Sequence, residues 1–277
     1  MNKIILIDGH NLLFRMFYGI PSPIKNTKGK EIRGLIGFIG SLKKIVDEFR
    51  PYLLIVVFDS QTSKDSNLKI DINYKRNRVD YTNISEDDNP FSQLPLIKKA
   101  LEYLNIYYLE VENYEADDYI ASIINNNREN QYIIVSTDSD FIQLVDNNIF
   151  LYVPRGKKSV LYTPEEVVKK YNIPPTKYVI FKSLVGDKSD NIKGVKGIGN
   201  IIAAKILNYS SIQNYIFNNP DSRFVKLLID NEEIILKNQK LICMSNNIDT
   251  SKITFKKLSN NISTFKTYEI IEKIGER

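Results

Sequence analysis

The sequence predicts an α/β fold in which a mostly parallel central sheet is flanked by helices and followed by a helical region. Three observations carry that expectation. Short apolar runs alternate with segments whose apolar residues recur every three or four positions. Several of the runs lead straight into acidic residues. After about residue 160 the strand-like runs give way to short helical segments.

The first run, Ile4-Ile5-Leu6-Ile7, reads as a buried parallel strand. Leu35, Phe38, Ile39, Leu42, Ile45, Val46 and Phe49 then repeat as one face of a helix. Leu53 to Phe58 is a second strand, and Leu94, Ile97, Leu101 and Leu104 mark a second helix. Ile106 to Leu109, Ile133 to Val135 and Phe150 to Val153 complete the strand set. Strand–helix–strand repetition of this kind gives a parallel sheet wrapped by helices. Thr163-Pro164-Glu165-Glu166 has the cap, first-turn proline and early acids of a helix start. Pro174-Pro175 opens another helix, and Gly194 to Gly199 is a glycine-punctuated turn before a helix ending near Leu207. Between Ser60 and Asn89 there is no sustained apolar period, and Lys64, Lys69, Lys75, Arg76 and Arg78 stand among acids. So long a connection is usually either functional or disordered, and its start directly after the second strand favours function. The expected organisation is an α/β core over 1–160 with a distinct segment at about 60–90. A helical region follows over 161–277, its glycine turn lying within 184–207.

Composition narrows the chemistry. With 43% hydrophobic and 26% charged residues, the 277-residue chain has the make-up of a soluble globular protein. Its longest apolar run, Tyr52 to Phe58, is about a third of a membrane-spanning helix, and the charge at Asp8 comes too early for a secretory signal. Neither a membrane partner nor secretion is expected, and the cytoplasm is the expected location. A single cysteine, Cys243, rules out an internal disulfide framework and a cysteine zinc site. Lying in an apolar stretch, it reads as a buried, inert thiol. A single histidine, His10, rules out zinc–histidine clusters; standing just past Asp8, it is open to a metal-ligand reading or to a packing and orienting one. Tyr103, Tyr107 and Tyr108 read as core. The net charge is +5, but Arg155 to Lys205 alone holds eleven basic residues against four acids, a formal +7, leaving −2 elsewhere. A basic segment on a slightly acidic body fits a polyanion or a solvated lysine-rich surface.

In open parallel sheets, ligands bind beyond the carboxyl ends of the strands. The first strand ends at Asp8, the second at Asp59, and another leads through Ser136-Thr137 to Asp138 and Asp140. The strand at 106–109 is followed by Glu115, Asp117 and Asp118. Any one of these acids could merely cap a helix. Together on one rim they would repel unless cations neutralised them. Oxygen-only ligands select Mg²⁺ or Mn²⁺, and such sites most often act on phosphates. Asp187 and Asp190, three apart, can share a helix face or a turn. Soon afterwards, Gly194-Val195-Lys196-Gly197-Ile198-Gly199 allows a tight hairpin whose backbone N–H groups can hold a phosphate.

In this order and spacing, the motifs resemble the 5′-nucleases: bacterial 5′→3′ exonucleases, the exonuclease domain of DNA polymerase I, and flap endonucleases. Asp8-Gly9-His10-Asn11 is similar to the family's opening strand and helix, and Val57-Phe58-Asp59 to its second metal-bearing strand. Asn73-Tyr74-Lys75-Arg76-Asn77-Arg78 is similar to its basic gateway motif. Tyr114-Glu115-Ala116-Asp117-Asp118 and Ser136-Thr137-Asp138-Ser139-Asp140 resemble its two acid clusters. Leu184 to Ile192, followed by Gly194 to Gly199, resembles its last acids and its helix–hairpin–helix element.

The resemblance implies a PIN-like nuclease core, an arch at about 60–90 threaded by single-stranded 5′ ends, and two or more divalent ions. Asp8, Asp59, Glu115 and Asp117, with Asp118 close, would hold one ion. Asp138, Asp140, Asp187 and Asp190 would lie nearer the other. Lys75 and Arg78 would steady charge on the scissile phosphate, Arg15 would contact phosphate, and Tyr74, with Arg76 beside it, would stack on a displaced base. Lys193, Gly194, Lys196, Gly197, Gly199 and Lys205 would grip the duplex. Lys196 stands where many members of the family carry proline, and Asn200-Ile201-Ile202 where a Pro-Lys-Thr-like sequence is common. Lys193, Lys196 or Lys205 would then substitute for a usual side-chain hold on phosphate. The hairpin of this family also often binds K⁺ through backbone carbonyls. The implied activity is structure-specific cleavage of DNA at 5′ flaps, nicks and 5′ ends, RNA-primed ones included, by a monomer acting at the nucleoid. No polymerase domain follows Arg277, as in a stand-alone nuclease or a fragment. The competing readings are a metal-acid ribonuclease and a non-catalytic DNA-binding relative. The hairpin speaks against the first, and the presence of all nine acids against the second.

Overall fold

Buried branched side chains build the first strand: Ile4, Ile5, Leu6 and Ile7 are each at most 2% exposed, as a strand covered on both faces requires. A computed structural model of the chain describes residues 1–59, 70–71, 73–76, 79–245, 247–251, 253, 258 and 266–276. Most of the segment expected to form an arch, 60–69 together with 72, 77 and Arg78, lies outside the described residues.

Among the described residues the strands are β1 (Lys3–Asp8), β2 (Leu53–Asp59), β3 (Tyr107–Val111), β4 (Gln131–Val135), β5 (Ile149–Val153), β6 (Val160–Tyr162), β7 (Gly186–Asp187) and β8 (Ile192–Lys193). The first helices are α1 (Gly9–Gly19), α2 (Arg33–Phe49), α3 (Leu94–Tyr103), α4 (Ala116–Asn126) and α5 (Pro164–Tyr171). They continue with α6 (Tyr178–Val185), α7 (Asn200–Leu207), α8 (Ile212–Asn218), α9 (Arg223–Asp230), α10 (Glu232–Ile242) and α11 (Thr267–Lys273). None is long and apolar enough to cross a membrane.

The chain forms two units. The first comprises Met1–Ser63, Asp80–Thr137 and Asn246–Arg277. Its strands run parallel in the order β3-β2-β1-β4. The register sets Asp8 beside Val57 of β2, so the ends of β1 and β2 present Asp8 and Asp59 on the same side of the sheet. Among the described residues of this unit β3 pairs only with β2, and it is half exposed. Tyr107 and Tyr108 are therefore only half-buried, contrary to the core position expected of them. Tyr103, expected in the core, is 42% exposed, because it stands off the stripe of Ile97, Leu101 and Leu104 that buries α3 and its C-terminal end.

Helix α2 starts without a capping side chain on Ile32. Instead the buried Glu31 carboxylate accepts from the Arg33 amide at 2.9 Å, and Gln93 Oε1 accepts from the Leu35 amide at 2.8 Å. These bonds satisfy two of the donors a helix start leaves open. At the far end of the sequence, α11 packs on α2 and α3. Lys28 Nζ donates to the Gly275 carbonyl at 2.9 Å, Lys99 Nζ to that of Ile274 at 2.7 Å, and Asn26 Nδ2 to the Glu276 carboxylate at 3.0 Å.

The second unit comprises Lys64–Val79 and Asp138–Ser245. It begins its longer stretch at Asp138, whereas the change of residue character near 160 marks where strands give way to helices. A 3-10 turn over Ser139–Leu144 leads to the antiparallel pair β5–β6. Thr163 caps α5 through its hydroxyl, with Pro164 in the first turn. Helices α6 and α7 flank the antiparallel pair β7–β8 and the glycine turn. Cys243 is exposed rather than buried. It follows α10 in extended backbone, where successive side chains alternate: Ile242 and Met244 point inward and Cys243 outward.

Candidate metal centre

In the first unit the acids are oriented by the elements they terminate. Asp8 ends β1 and caps α1, its Oδ1 accepting from the Asn11 amide at 3.2 Å. Its Oδ2 accepts from Ser136 Oγ at 3.0 Å, just past β4. Asn11 Oδ1 accepts from both the amide and the hydroxyl of Thr137, at 2.8 and 2.9 Å, tying α1 to the end of β4. Asp59 ends β2; Oδ1 accepts from the Ala116 amide at 2.7 Å, and Oδ2 lies 3.1 Å from His10 Nδ1. That first bond brings the start of α4 to Asp59. Glu115 is the N-cap of α4, and Asp117 and Asp118 lie in its first turn, where the helix dipole favours negative charge. The Asp118 amide donates to Asp117 Oδ1 at 2.7 Å. The His10 ring packs on Phe58 and Phe91, with centroids 5.4 and 5.2 Å away. His10 thus packs between two aromatic rings with its Nδ1 facing Asp59. Arg15 lies half-buried on α1.

In the second unit the acids crowd together. Asp138 caps the 3-10 turn, its Oδ1 accepting from the Asp140 amide at 2.8 Å. Carboxylate oxygens of Asp140, Asp187 and Asp190 all lie within 4.8 Å of one another, a trio the five acids of the first unit do not form among the described residues. Asp187 and Asp190 sit on the β7–β8 hairpin, the turn alternative for their three-residue spacing. The Lys182 ammonium is 3.0 Å from Asp140 Oδ1, hydrogen-bonds Asp187 Oδ2, and lies 3.4 Å from Ser139 Oγ. Burial pushes the Asp140 carboxyl up to about 7, and the charge of Asp138 adds to the shift. Burial raises Asp138 as well. Burial would also raise Asp187, but hydrogen bonds from Lys182 and Ser189 outweigh it and hold its carboxyl below the usual range. For Lys182 burial opposes the charge, yet Asp140 and Asp187 more than compensate and keep it protonated. Burial is the main cause of these raised carboxyls, with repulsion between neighbouring carboxylates adding to it. An all-oxygen donor set under that strain fits a hard divalent cation.

Sequence reasoning missed Lys182. Its signal was present: it stands four residues after Tyr178 on the stripe that buries α6 with Phe181 and Leu184, where a lysine needs a partner.

The described part of the basic gateway segment folds onto the same unit. Lys75 has a left-handed backbone, φ 54°, and its amide donates to the Asp190 carbonyl at 3.1 Å. Its Nζ lies 4.7 Å over the Tyr74 ring. Tyr74 itself is 5% exposed, packed with Ile192, Leu241 and Ile242, and its hydroxyl reaches Asp190 Oδ2 at 3.5 Å. In this position the ring is part of the packing rather than an open platform for a base. Arg76 is exposed, with Nη1 3.4 Å from Asn73 Oδ1. Arg78 lies outside the described residues.

The glycine turn closes through the Ile198 amide to the Val195 carbonyl at 3.0 Å, with Gly197 at φ 96°, a backbone that glycine adopts freely. Lys193, Lys196 and Lys205 are exposed around it, and Gly199 is the N-cap of α7. Gly194 has a packing reason to be glycine: a Cβ there would stand 2.2 Å from the Val185 carbonyl carbon.

A parallel sheet carrying carboxylates at its strand ends, together with a second acid cluster beside a helix–hairpin–helix element, defines a protein of the metal-dependent nuclease class. The sequence profile of the 5′-3′ exonuclease N-terminal, resolvase-like domain matches residues 3–172, and that of the 5′-3′ exonuclease C-terminal SAM fold matches 173–264. The chain belongs to the 5′-3′ exonuclease family, whose members are hydrolytic nucleases. It is 34% identical to a 5′-3′ exonuclease of Aquifex aeolicus over 79% of this chain and 73% of that one. It is 30% identical to DNA polymerase I of Borreliella burgdorferi over 99% of this chain and 31% of that longer protein. In fold it resembles the flap endonuclease of bacteriophage T5, solved as a pseudo-enzyme-product complex with DNA and metal ions. That likeness has a TM-score of 0.71 at 19% identity and covers 99% of this chain and 100% of the other.

Proposed function

We propose that this chain hydrolyses phosphodiester bonds of DNA where a single strand meets duplex, at 5′ flaps, nicks and 5′ ends, RNA-primed ends included. The observation that carries the reading is the meeting of Asp140, Asp187 and Asp190 within 4.8 Å around the Lys182 ammonium. Asp8, Asp59, Glu115, Asp117 and Asp118 hold one Mg²⁺ or Mn²⁺ ion, and Asp138, Asp140, Asp187 and Asp190 another. When bound, such ions polarise the scissile phosphate and lower the pKa of the attacking water. The protein's own groups do the rest. His10 and the Ala116 amide hold Asp59 in one orientation, as Ser136 and the Asn11 amide hold Asp8. Lys75, placed beside Asp190 by its backbone, offers its ammonium to charge that grows on the phosphate. Arg15 and Arg78 add to that charge stabilisation, and Arg76 meets the strand backbone.

The turn at Gly194 to Gly199 presents backbone amides to duplex phosphates with Lys193, Lys196 and Lys205 around it, a grip that reads no sequence. Its carbonyls offer a place for K⁺. The core holds the scissile bond and the helical region the duplex, in a monomer working in the cytoplasm.

The test is a labelled 5′-flap duplex incubated with Mg²⁺, with Mn²⁺ and with EDTA. Cutting within a few nucleotides of the junction, dependent on the ion and indifferent to base sequence, is the expected result. No cleavage with either ion, or cuts scattered along the flap, would overturn the assignment.

A further inference from the structure

Helix α10 contains none of the nuclease motifs, yet both acid-bearing segments of the second unit are fastened to it. Asn238, 1% exposed, sits at its middle. Its Nδ2 donates to the Ser183 carbonyl at 3.0 Å and to the Lys193 carbonyl at 2.8 Å. Ser183 lies in the last turn of α6, and Lys193 closes the hairpin whose loop carries Asp187 and Asp190. One nitrogen thus clasps both roots of that loop. Four residues further along α10, the Ile242 carbonyl accepts from Gln143 Nε2 at 3.0 Å, and the Met244 amide donates to Gln143 Oε1 at 3.0 Å. The same Gln143 nitrogen donates to the Asp140 carbonyl at 2.9 Å. One end of α10 therefore holds the Asp138–Asp140 turn, and its middle holds the Asp187–Asp190 hairpin. Residues four apart share a helix face and are separated by about 6 Å along the axis. That single turn of α10 is a fixed spacer between the two segments whose carboxylates must meet.

We propose that Asn238 is a positioning residue for the nuclease site: it sets the hairpin of Asp187 and Asp190 at the distance from Asp140 that an ion requires. The chemistry explains why the position carries a carboxamide. The buried Ser183 carbonyl and the half-buried Lys193 carbonyl both draw a donor from one short side chain. A lysine or arginine would bring a second cation beside Lys182 and compete with a metal for the same carboxylates. An aspartate would set a carboxylate against two carbonyl oxygens, and a leucine would remove the side-chain donor from both, which is costly at the buried Ser183 carbonyl. Groups that hold metal ligands in place typically change metal affinity or activity by about 10- to 100-fold when removed.

The inference rests on the reading of the Asp140, Asp187 and Asp190 cluster as a metal site, and its test separates the two. The full chain carrying Asn238→Ala, and the milder Asn238→Ser with one donor retained, are compared with the parent. Three measurements are made: Mn²⁺ binding by electron paramagnetic resonance, flap-duplex affinity in EDTA, and single-turnover cleavage across a Mg²⁺ titration. All are normalised to the folded fraction from circular dichroism. The expected result is a metal half-saturation raised about tenfold in Asn238→Ala and less in Asn238→Ser, a slower step at saturating Mg²⁺, and DNA affinity within about twofold of the parent. A role confined to stability would lower the folded fraction and leave the metal half-saturation of the folded molecules unchanged, and that outcome overturns the proposal. If the parent itself bound no Mn²⁺, the metal-site reading would fall first, and the proposal with it. If the parent bound Mn²⁺ but cut nothing, the binding data alone would still decide the role of Asn238.

Discussion

Asp8 and Asp59 stand at strand ends, each oriented by neighbours that bring donors to it: a backbone amide and the Ser136 hydroxyl for one, a backbone amide and the His10 imidazole for the other. Asp140 and Asp187 are held differently, around the ammonium of Lys182 inside the protein. The first arrangement spreads carboxylates along a rim, where solvent shares their charge. The second gathers them where burial penalises that charge, so a cation must be present at all times. The difference teaches that the first unit's acids can be lost with little harm to the fold, whereas the second unit's cluster is bound up with stability.

Asp8→Ala offers the strongest test of that contrast. Cleavage should fall by about 10³-fold or more if Asp8 serves the first proposed ion as a ligand. Stability should drop only by about 1 kcal/mol, the usual cost of losing a helix cap. Urea unfolding beside single-turnover kinetics measures both; a collapse of stability would erase the distinction between the units. Lys182→Met should behave the other way. Without the ammonium, the buried carboxylates are uncompensated, and the metal-free protein should lose about 3–5 kcal/mol. Mg²⁺ should restore part of this loss in Lys182→Met and much less in the parent. A variant as stable as the parent in EDTA would show that the cluster does not depend on its internal cation.

That lysine marks the limit of what the residues alone disclose. Strands β1 to β5 and helices α2, α3, α5 and α7 are legible because burial imposes periods of two or of three to four on the apolar residues. The carboxylates are legible because a strand ending in acid puts that acid on a known rim. What periodicity leaves out is which long polar side chain turns inward, as Lys182 does, and which aromatic is absorbed into packing, as Tyr74 is against Ile192 and Leu241. Both outcomes are set by segments distant in sequence, Asp140 for Lys182 and the end of α10 for Tyr74. Cys243 and Tyr103 escape it for a simpler reason: an apolar neighbourhood in sequence does not say on which side of an extended chain or helix one residue lies.

Two glycines sharpen the comparison on a smaller scale. Gly194→Ala sets a methyl group against the Val185 backbone at 2.2 Å and should cost about 1–3 kcal/mol, displacing the hairpin that carries Asp187 and Asp190. Gly199→Ala meets nothing within 4 Å and should change stability by less than about 1 kcal/mol. Equal losses in thermal unfolding would mean that close packing is not what Gly194 provides.

The smallest expected effect is the pH response of the metal-free protein. The Asp140 carboxyl, raised to about 7, stands above its unfolded value of about 4. Between these values the folded state holds a proton the unfolded chain has released, so this contribution to stability is present near pH 4 and fades as pH rises through 7. In EDTA, melting temperature should therefore be higher at pH 6 than at pH 8 by a few degrees. A divalent ion needs the ionised carboxylates, so its stabilisation should be larger at pH 8. Asp140→Asn should flatten the EDTA profile; an unchanged slope would assign the effect elsewhere.

The first unit is assembled from three separate stretches of chain, and the last of them is locked by Asn26, Lys28 and Lys99 onto residues 274–276. A ribosome delivers Asn26 and Glu276 a full 250 residues apart. The sheet that carries Asp8 and Asp59 thus has all its strands early in synthesis but receives its final covering helix only after the entire second unit has been made. Until then the faces of α2 and α3 that α11 covers stay open, and the nascent chain carries an incompletely covered core. The core of the first unit is thus closed by a segment made only after the whole of the second unit.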